Sequence, residues 1–282
     1  MTQCSGWQSP GWSNPNLLIN WDFRNPVNQR GQTSYVGAGY GIDMWWLQHL
    51  SRLQIEDGYV TYSGMWELRQ RFECPLVAGI YTLSIKAANC NGKTVFQCAS
   101  AQSEVIVEIA IPEIGAEWEF KKITFYTGKS ISRISFYNIG QEDATMDIQA
   151  VKLEVGSIST LALDLMQPSD YAAELRKCQR YFQKGRTCRM VTSKTNYDND
   201  TAITDSEKLS AMRIEPTITL KDIWVPGYYD INQVDSTKFA PKLCSLKDNK
   251  SFYVSIEKQG MDNFDNLLGR CIIFDYEASA EL

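Results

Sequence analysis

Short segments in which apolar and polar residues alternate run from about residue 16 to residue 156, with turn residues about every eight to twelve positions. Residues 66–72 and 81–87 are the clearest examples. Because successive side chains of a strand point to opposite faces, this pattern gives each strand one dry face and one wet face. About nine or ten such strands suit two antiparallel sheets packed face to face, so the sequence predicts a jelly-roll β-sandwich.

The spacing becomes helical after the connector that follows residue 156. The predicted helix covers residues 170–184, with Ser169 or Asp170 as its N-cap and Gly185 just beyond its end. One stripe of this helix carries Tyr171, Leu175, Cys178 and Phe182. The stripe either packs on a neighbouring sheet of the same chain or packs against copies of itself around a symmetry axis.

Strand-like segments return beyond Gly185 and predict a second, smaller β-domain of about 95 residues. The predicted fold class is therefore all-β, with a short linker helix between two β-domains. The predicted organisation is an N-terminal arm at residues 1–15, the jelly roll at 16–158, a linker and helix at 159–186, and the C-terminal β-domain at 187–282.

The charge of the chain limits its partners. Its 282 residues include 28 basic and 33 acidic side chains, which gives a net charge of −5. This is the wrong sign for a protein that binds by neutralising phosphates, so nucleic acid is not an expected partner. The first residues lack the basic stretch and apolar core of an export signal, and no segment approaches about 18 uninterrupted apolar residues. We therefore expect neither export nor membrane insertion.

Cysteine and histidine usage limits the chemistry. The eight cysteines are widely spaced without a CxxC pair, and His49 is the only histidine. Structural zinc sites have closely spaced ligand pairs, so we predict no metal site and no cofactor. Without an export signal, the cysteines are expected to be reduced thiols of a protein made in a cytosol. A Ser-His-Asp or Cys-His site would have to use His49, and no recognisable nucleophile motif accompanies it.

Residues 87–94, AANCNGKT, satisfy a relaxed phosphate-loop pattern that ends in Gly-Lys-Thr. In a nucleotide-binding loop a helix follows, and its N-terminal N–H groups hold the phosphates. Here the strand-like TVFQC follows, so the segment is interpreted as a β-hairpin whose Asn91-Gly92 turn adopts positive φ angles. Nucleotide binding is not predicted.

Aromatic residues make 12% of the chain, and six of its eight tryptophans lie in the first quarter. Flat indole rings stack on the C–H faces of sugars, whose hydroxyls bind amide, carboxylate and guanidinium groups, but the same rings also fill cores. If the WW pair is in a strand, Trp45 and Trp46 point to opposite faces. One of the two is therefore expected at the surface or at an interface.

Several segments together resemble phage tail-fibre and other virion-appendage proteins that carry a carbohydrate-binding-module-like jelly roll. The segments are NLLINWDFRNPVNQRG (16–31), YGIDMWWL (40–47), RQRFE with GIYTLSIKA (between 69 and 87), VKLEVGSIST (151–160) and DYAAELRKCQRYFQ (170–183). Near the C-terminus, MRIEPTITL (212–220) and FDYEASAEL (274–282) resemble the end domain that follows the helix in such proteins. The order and spacing of the segments carry the resemblance, which covers most of the chain.

The resemblance implies a non-enzymatic protein on the exterior of a virion, made in the cytoplasm of a bacterial host. It also implies a homotrimer that contacts other virion proteins and binds host-surface glycans. Two departures limit what is carried over. Gln149 stands where calcium-dependent relatives have Asp, so no structural calcium is expected, and residues 161–163, Leu-Ala-Leu, replace the usual proline and phenylalanine of the linker.

The candidate glycan-binding residues would lie on a shallow strand face or loop rim, and they are Tyr40, Trp46, Gln48, Trp66 and Arg69. Each such site would bind weakly, and a trimer would multiply weak sites because linked sites raise the effective concentration.

Two other classes of function stay open. The chain could be a purely architectural capsid-decoration, collar or baseplate component without receptor binding, in which Trp7 and Trp12 of residues 1–15 anchor it to a neighbour. For residues 1–15 the alternative is an unanchored, floppy terminus. A polysaccharide depolymerase is the third class, but such enzymes need a long repetitive scaffold or a marked acidic cleft, and the sequence has neither.

Overall fold

The computed structural model describes residues 13–139, 143–166, 169–194, 201–204, 207–224, 239–248, 251–258 and 271–281. The chain divides into two compact units, Met1–Leu175 with Leu282, and Arg176–Glu281. Trp7 and Trp12, the predicted anchors, lie outside the described residues.

The first unit consists almost entirely of β-strands, followed by one short helix and the first residues of a second. Its strands are β1 (Ser34–Val36), β2 (Gly39–Tyr40), β3 (Trp46–Leu47), β4 (Arg52–Glu56), β5 (Tyr59–Ser63), β6 (Leu68–Leu76), β7 (Gly79–Ala88), β8 (Lys93–Ala99), β9 (Val105–Ala110), β10 (Glu119–Thr127), β11 (Ile131–Ile139) and β12 (Thr145–Val155). Helix α1 (Leu161–Leu165) and helix α2 (Tyr171–Gln179) follow β12.

Among the described residues of the first unit, the strands form two six-stranded antiparallel sheets. Sheet A has the order β1-β4-β5-β12-β7-β10, and sheet B has the order β2-β3-β6-β11-β8-β9. Strands β6, β7 and β8 lie in sheets B, A and B, and strands β10, β11 and β12 lie in A, B and A. This alternation between two facing sheets is jelly-roll connectivity. The predicted all-β class with an N-terminal jelly-roll sandwich is confirmed.

Trp45 lies at the centre of the core between the two sheets. Its side chain is fully buried, and its ring centroid is 5.3 Å from that of Phe23 and 6.4 Å from that of Phe136. The indole N–H donates to the backbone oxygen of Asn20 over 2.9 Å, so the polar atom of this large side chain is satisfied. Trp46, by contrast, is half-buried. The two rings of the WW pair therefore differ in exposure, as the alternation predicted.

The predicted hairpin at residues 87–94 is wrong. Strand β7 lies in sheet A and β8 lies in sheet B, so this segment crosses from one sheet to the other. The positive φ angle is at Asn89 (50°) instead of Asn91 or Gly92. A strand still follows the Gly-Lys-Thr motif, because β8 begins at Lys93.

The segment NLLINWDF, residues 16–23, opens the region that the sequence predicts as strands, but it forms a single bridge, between Asp22 and Ala150. Its backbone still follows β12: the Leu17 N–H donates to Leu153 O over 2.9 Å, and the Phe23 N–H donates to Gln149 O over 2.8 Å. The apolar pattern therefore identified a segment that belongs to the sandwich without forming a regular strand.

The predicted helix at residues 170–184 is too long. Helix α2 ends at Gln179. Phe182 pairs with Ser279 in a sheet of the second unit, so the backbone groups at this position form strand hydrogen bonds and cannot continue the helix. Phe182 therefore does not belong to the predicted helical stripe. Cys178 and Phe182 are buried, Leu175 is half-buried, and Tyr171 is 40% exposed.

Gly185 is also placed differently from the prediction. It lies within a strand opposite Tyr276 instead of following the helix. A Cβ atom at this position would be 2.8 Å from the Tyr276 ring. A glycine occupies this position because a side chain would collide with the Tyr276 ring.

The second unit is built around one antiparallel sheet. Its strands are β13 (Phe182–Lys194), β14 (Thr201–Thr204), β15 (Glu207–Lys208), β16 (Thr217–Trp224), β17 (Phe239–Asp248), β18 (Ser251–Lys258) and β19 (Cys271–Ser279). In the part of the chain that the structure describes, the order is β15-β18-β14-β13-β19-β16, and β17 pairs with β18. The core includes Phe252, whose ring lies 6.2 Å from Phe274 and 5.2 Å from Tyr276 between centroids. The predicted smaller C-terminal β-domain is confirmed.

No helix in the described ranges is both long enough and apolar enough to cross a bilayer.

The outer face of sheet A is covered at its centre, contrary to the expectation of a wet face for Thr82 and Ser84. Both side chains are buried, because residues 156–165 lie across them. The Thr82 hydroxyl donates to Gly156 O over 2.7 Å, and the Ser84 hydroxyl lies 2.6 Å from that of Ser159.

Lys152 anchors this covering segment. Its side chain is fully buried, and its ammonium group donates to Asp164 Oδ2 over 2.5 Å and to Thr160 Oγ1 and Ser13 Oγ over 2.7 Å each. Glu154, also fully buried, accepts the N–H of Thr160 over 2.9 Å and lies 3.5 Å from the ammonium nitrogen. Every charge of this cluster therefore has a partner, as buried charges require.

Replacing Lys152 by alanine is expected to lower the free energy of unfolding of the first unit by about 3 to 5 kcal/mol, because the buried carboxylates would lose their cation. Denaturant unfolding followed by tryptophan fluorescence measures this loss. Lys122→Ala is the matched control, since Lys122 is exposed on the same sheet and its loss should cost less than about 0.5 kcal/mol. Equal effects of the two changes would contradict the assignment.

Candidate functional site

One residue from each strand of sheet B lies in a single row across the outer face. The Cα pairing runs from Tyr40 to Trp46, Arg69, Ser135, Gln97 and Glu108. Residues that pair directly project their side chains from the same face, so these six form one continuous surface. We call this set the polar row.

The aromatic end of the polar row is covered in part by guanidinium groups. The Arg69 guanidinium carbon lies 3.8 Å from the centre of the Trp46 ring, and that of Arg30 lies 5.3 Å from the centre of the Tyr40 ring. Burial lowers the pKa of Arg69, and the neighbouring charges of Arg71 and Arg133 act in the same direction. Arg69 nevertheless stays charged, since guanidinium groups do not deprotonate in proteins.

Four charged or phenolic residues flank the polar row, two positions along the strands from its members, and they are Glu67, Arg71, Arg133 and Tyr137. Glu67 lies between two arginines: its Oε2 is 3.5 Å from Arg69 Nη1, and its Oε1 is 3.4 Å from Arg133 Nη2. These distances are long for ion pairs that share a half-buried surface.

Four buried side-chain atoms of this face have no hydrogen-bond partner within the described residues: Glu67 Oε2, Gln97 Oε1, Arg133 Nε and Ser135 Oγ. Ser135 is 0% exposed and Gln97 is 7% exposed. Leaving such an atom without a partner costs about 1 to 3 kcal/mol, so a group of four on one face needs an external partner. These four atoms are therefore the buried polar groups of this face that no other described group of the chain satisfies with a hydrogen bond.

The far end of the polar row is a linked set of three side chains. Gln97 Nε2 donates to Glu108 Oε2 over 3.2 Å, which leaves Gln97 Oε1 as the unpartnered acceptor. Burial and the hydrogen bond with Glu108 raise the pKa of Tyr137 to about 12. Tyr137 therefore keeps its hydroxyl proton at neutral pH.

Asp43 binds two side chains next to the aromatic end of the polar row. Its carboxylate, 1% exposed, accepts Gln29 Nε2 over 2.7 Å and Arg30 Nη1 over 3.0 Å. Arg30 in turn lies over the Tyr40 ring. Burial raises the pKa of Asp43 to about 6, although Gln29 and Arg30 both act in the opposite direction.

The five predicted glycan-binding residues are not all brought together. Tyr40, Trp46 and Arg69 are neighbours in the polar row. The Gln48 N–H donates to Glu67 O over 3.0 Å, so Gln48 lies beside the polar row. Trp66 lines a separate depression of about 420 Å³, with Leu50, Arg52, Ser63, Gly64, Met65, Asp143 and Thr145. Trp66 is 39% exposed, and the centroid of its ring lies 4.6 Å from that of His49.

Sequence reasoning missed several residues of this face, namely Gln97, Glu108, Arg133, Ser135 and Tyr137. The sequence holds a partial signal, because apolar Ile134 and Phe136 alternate with Arg133, Ser135 and Tyr137, and strand alternation turns the second set outward when the first faces the core. Only the strand order shows that they adjoin Trp46 and Arg69.

Among the residues that the structure describes, no group of three or more His, Cys, Asp and Glu side chains is arranged to hold a metal ion.

Several solved structures are similar to part of this chain. The second N-terminal cellulose-binding domain of β-1,4-glucanase C from Cellulomonas fimi is 14% identical, with 52% of this chain and 97% of that chain covered and a TM-score of 0.36. A CBM4 structure is 16% identical, with 49% and 98% covered and a TM-score of 0.34. A family 29 carbohydrate-binding module from Piromyces equi is 10% identical, with 48% and 98% covered and a TM-score of 0.34. No family model and no curated protein matches the chain.

The stability of the first unit should respond to the titration of Asp43. Its carboxyl holds its proton to about pH 6 in the folded state but releases it near 3.8 when unfolded, so its contribution is full at low pH and is lost as pH rises. We expect the free energy of unfolding, relative to that of Asp43→Asn, to fall by roughly 2 to 4 kcal/mol between about pH 4 and about pH 6.5. Denaturant unfolding of both proteins across this range measures it, and a flat or rising difference would contradict the assignment.

Proposed function

We propose that the first unit binds a carbohydrate along the polar row of sheet B. The observation that carries the proposal is the group of four buried polar atoms without hydrogen-bond partners, which lies beside the rings of Trp46 and Tyr40 on the outer face of sheet B. A ligand that combines flat C–H faces with many hydroxyls supplies both kinds of contact at once.

The chemistry of the unpartnered atoms fits hydroxyl groups. Gln97 Oε1 and Glu67 Oε2 only accept hydrogen bonds, Arg133 Nε only donates, and Ser135 Oγ does both. A sugar hydroxyl is both donor and acceptor, so neighbouring hydroxyls of one ring can satisfy this mixture. Trp46 and Tyr40 would then provide the apolar surface for a ring at the other end of the row.

The proposed setting is the exterior of a phage particle, where the chain would be a homotrimeric tail fibre or similar appendage that adheres to host-surface glycans and catalyses no reaction. The resemblance of residues 16–31, 40–47 and 151–160 to such proteins supports this setting. An open sheet face gives weak single sites, and three linked copies raise the effective concentration of the second and third sites.

Trp46→Ala is expected to weaken glycan binding by about 5- to 30-fold, since the loss of ring stacking and apolar contact is worth roughly 1 to 2 kcal/mol. Ser135→Ala, which removes an unpartnered hydroxyl without changing the core, should also weaken binding. Titration calorimetry with the best ligand from a glycan array measures both changes.

Trp66→Ala is the matched control, because Trp66 lines a different depression and its loss should leave this affinity unchanged. If Trp66→Ala weakens glycan binding more than Trp46→Ala does, the binding site is not on sheet B. If no glycan binds at any immobilised density, the carbohydrate proposal fails and the architectural alternative is favoured.

The proposed trimer predicts a solution mass three times that of the chain by light scattering. Because Cys178 and Phe182 are already buried within one chain, a contact through the predicted stripe would have to use exposed Tyr171, so Tyr171→Asp should reduce the mass. A parent protein with the mass of one chain would contradict the trimer.

A further inference from the structure

The donors and acceptors of the proposed site are distributed unevenly. The Gln97 and Glu67 atoms without partners are acceptors, whereas the Arg133 Nε–H is a donor. Arg133 pairs with Arg71 across the two strands, so both guanidinium groups project from the outer face on one side of the polar row. We call this the arginine side of sheet B.

A depression of about 230 Å³ lies on the arginine side. Its polar lining consists of Arg71, Glu73, Ser100, Ser103, Ser132 and Arg133. Two arginines and three serines therefore line a space large enough for a small substituent of a sugar ring. Hydroxyl and guanidinium donors converging on one space are the arrangement that recognises carboxylate and sulfate groups.

The charges around this space favour an anion. In the lining itself, two arginines stand against one carboxylate, Glu73, and Arg69 is a further cation of the adjoining polar row. Glu67 offsets part of this charge, but only over 3.4 and 3.5 Å. This local excess of positive charge contrasts with the net charge of −5 of the whole chain.

We infer that the glycan bound along the polar row carries an anionic substituent, a carboxylate or a sulfate, which binds to Arg133 and Arg71 in the depression on the arginine side. The inference rests on the proposed carbohydrate binding. A neutral hydroxyl would satisfy Ser135 and Gln97 as well, but only an anion gives the Arg133 guanidinium a hydrogen-bond partner of opposite charge, which can also bind in the bidentate geometry that carboxylates and arginines share.

The test is an array of bacterial surface polysaccharides, each immobilised in its native acidic form and in its carboxyl-reduced or desulfated form. The parent should bind acidic forms at least tenfold more tightly than the matched neutral forms. Arg133→Gln should lose this preference, because its affinity for the acidic forms should fall at least tenfold further than its affinity for the neutral forms. The carboxylate and sulfate arms of the array distinguish the two kinds of substituent.

Lys122→Gln is the matched control, because it removes the same charge from an exposed position on sheet A. It should keep the full preference for acidic forms. An equal loss of preference in Lys122→Gln and Arg133→Gln would indicate non-specific attraction and overturn the inference.

The remaining outcomes test the anionic substituent and carbohydrate binding separately. Equal or tighter binding of the neutral forms overturns the anionic substituent and leaves carbohydrate binding intact, whereas binding of no form overturns carbohydrate binding itself. If circular dichroism shows that Arg133→Gln is unfolded, exposed Arg71→Gln takes its place with the same expected loss.

Discussion

The buried ammonium group of Lys152 determines which face of the sandwich the chain itself covers. An unpaired charge in this position would be very costly, so the segment that carries Thr160 and Asp164 is held across the centre of sheet A. That segment buries Thr82 and Ser84 as well. With the centre of sheet A covered on both sides, the polar outer surface of sheet B is the face on which buried groups still lack partners.

The two polar clusters of the sandwich use similar side chains with opposite results. Around Lys152, the chain supplies a partner for each charge, which is what a structural cluster requires. Around Ser135, the chain surrounds a buried hydroxyl with Arg133 and Gln97 but leaves one atom of each without a partner. A stability role explains the first cluster and does not explain the second, and this difference is the physical basis for proposing sheet B as the binding face.

Strand periodicity predicted the elements better than it predicted their neighbours. The alternation at residues 66–72 correctly turned Arg69 outward and Leu68 inward, and the WW pair divided as expected. The row from Tyr40 to Glu108 depends on pairing between strands far apart in the chain, which local pattern does not encode. For the same reason the sequence pattern groups Trp66 with Trp46 although the fold separates them, and it predicts a hairpin at residues 87–94 although this segment joins two sheets.

The most direct test of the account is a crystal structure of the chain with its tightest-binding oligosaccharide. The account predicts sugar oxygens within hydrogen-bond distance of Ser135 Oγ and Gln97 Oε1, with a ring stacked near Trp46. A ligand that occupies the depression around Trp66, or that touches no residue of sheet B, would contradict it.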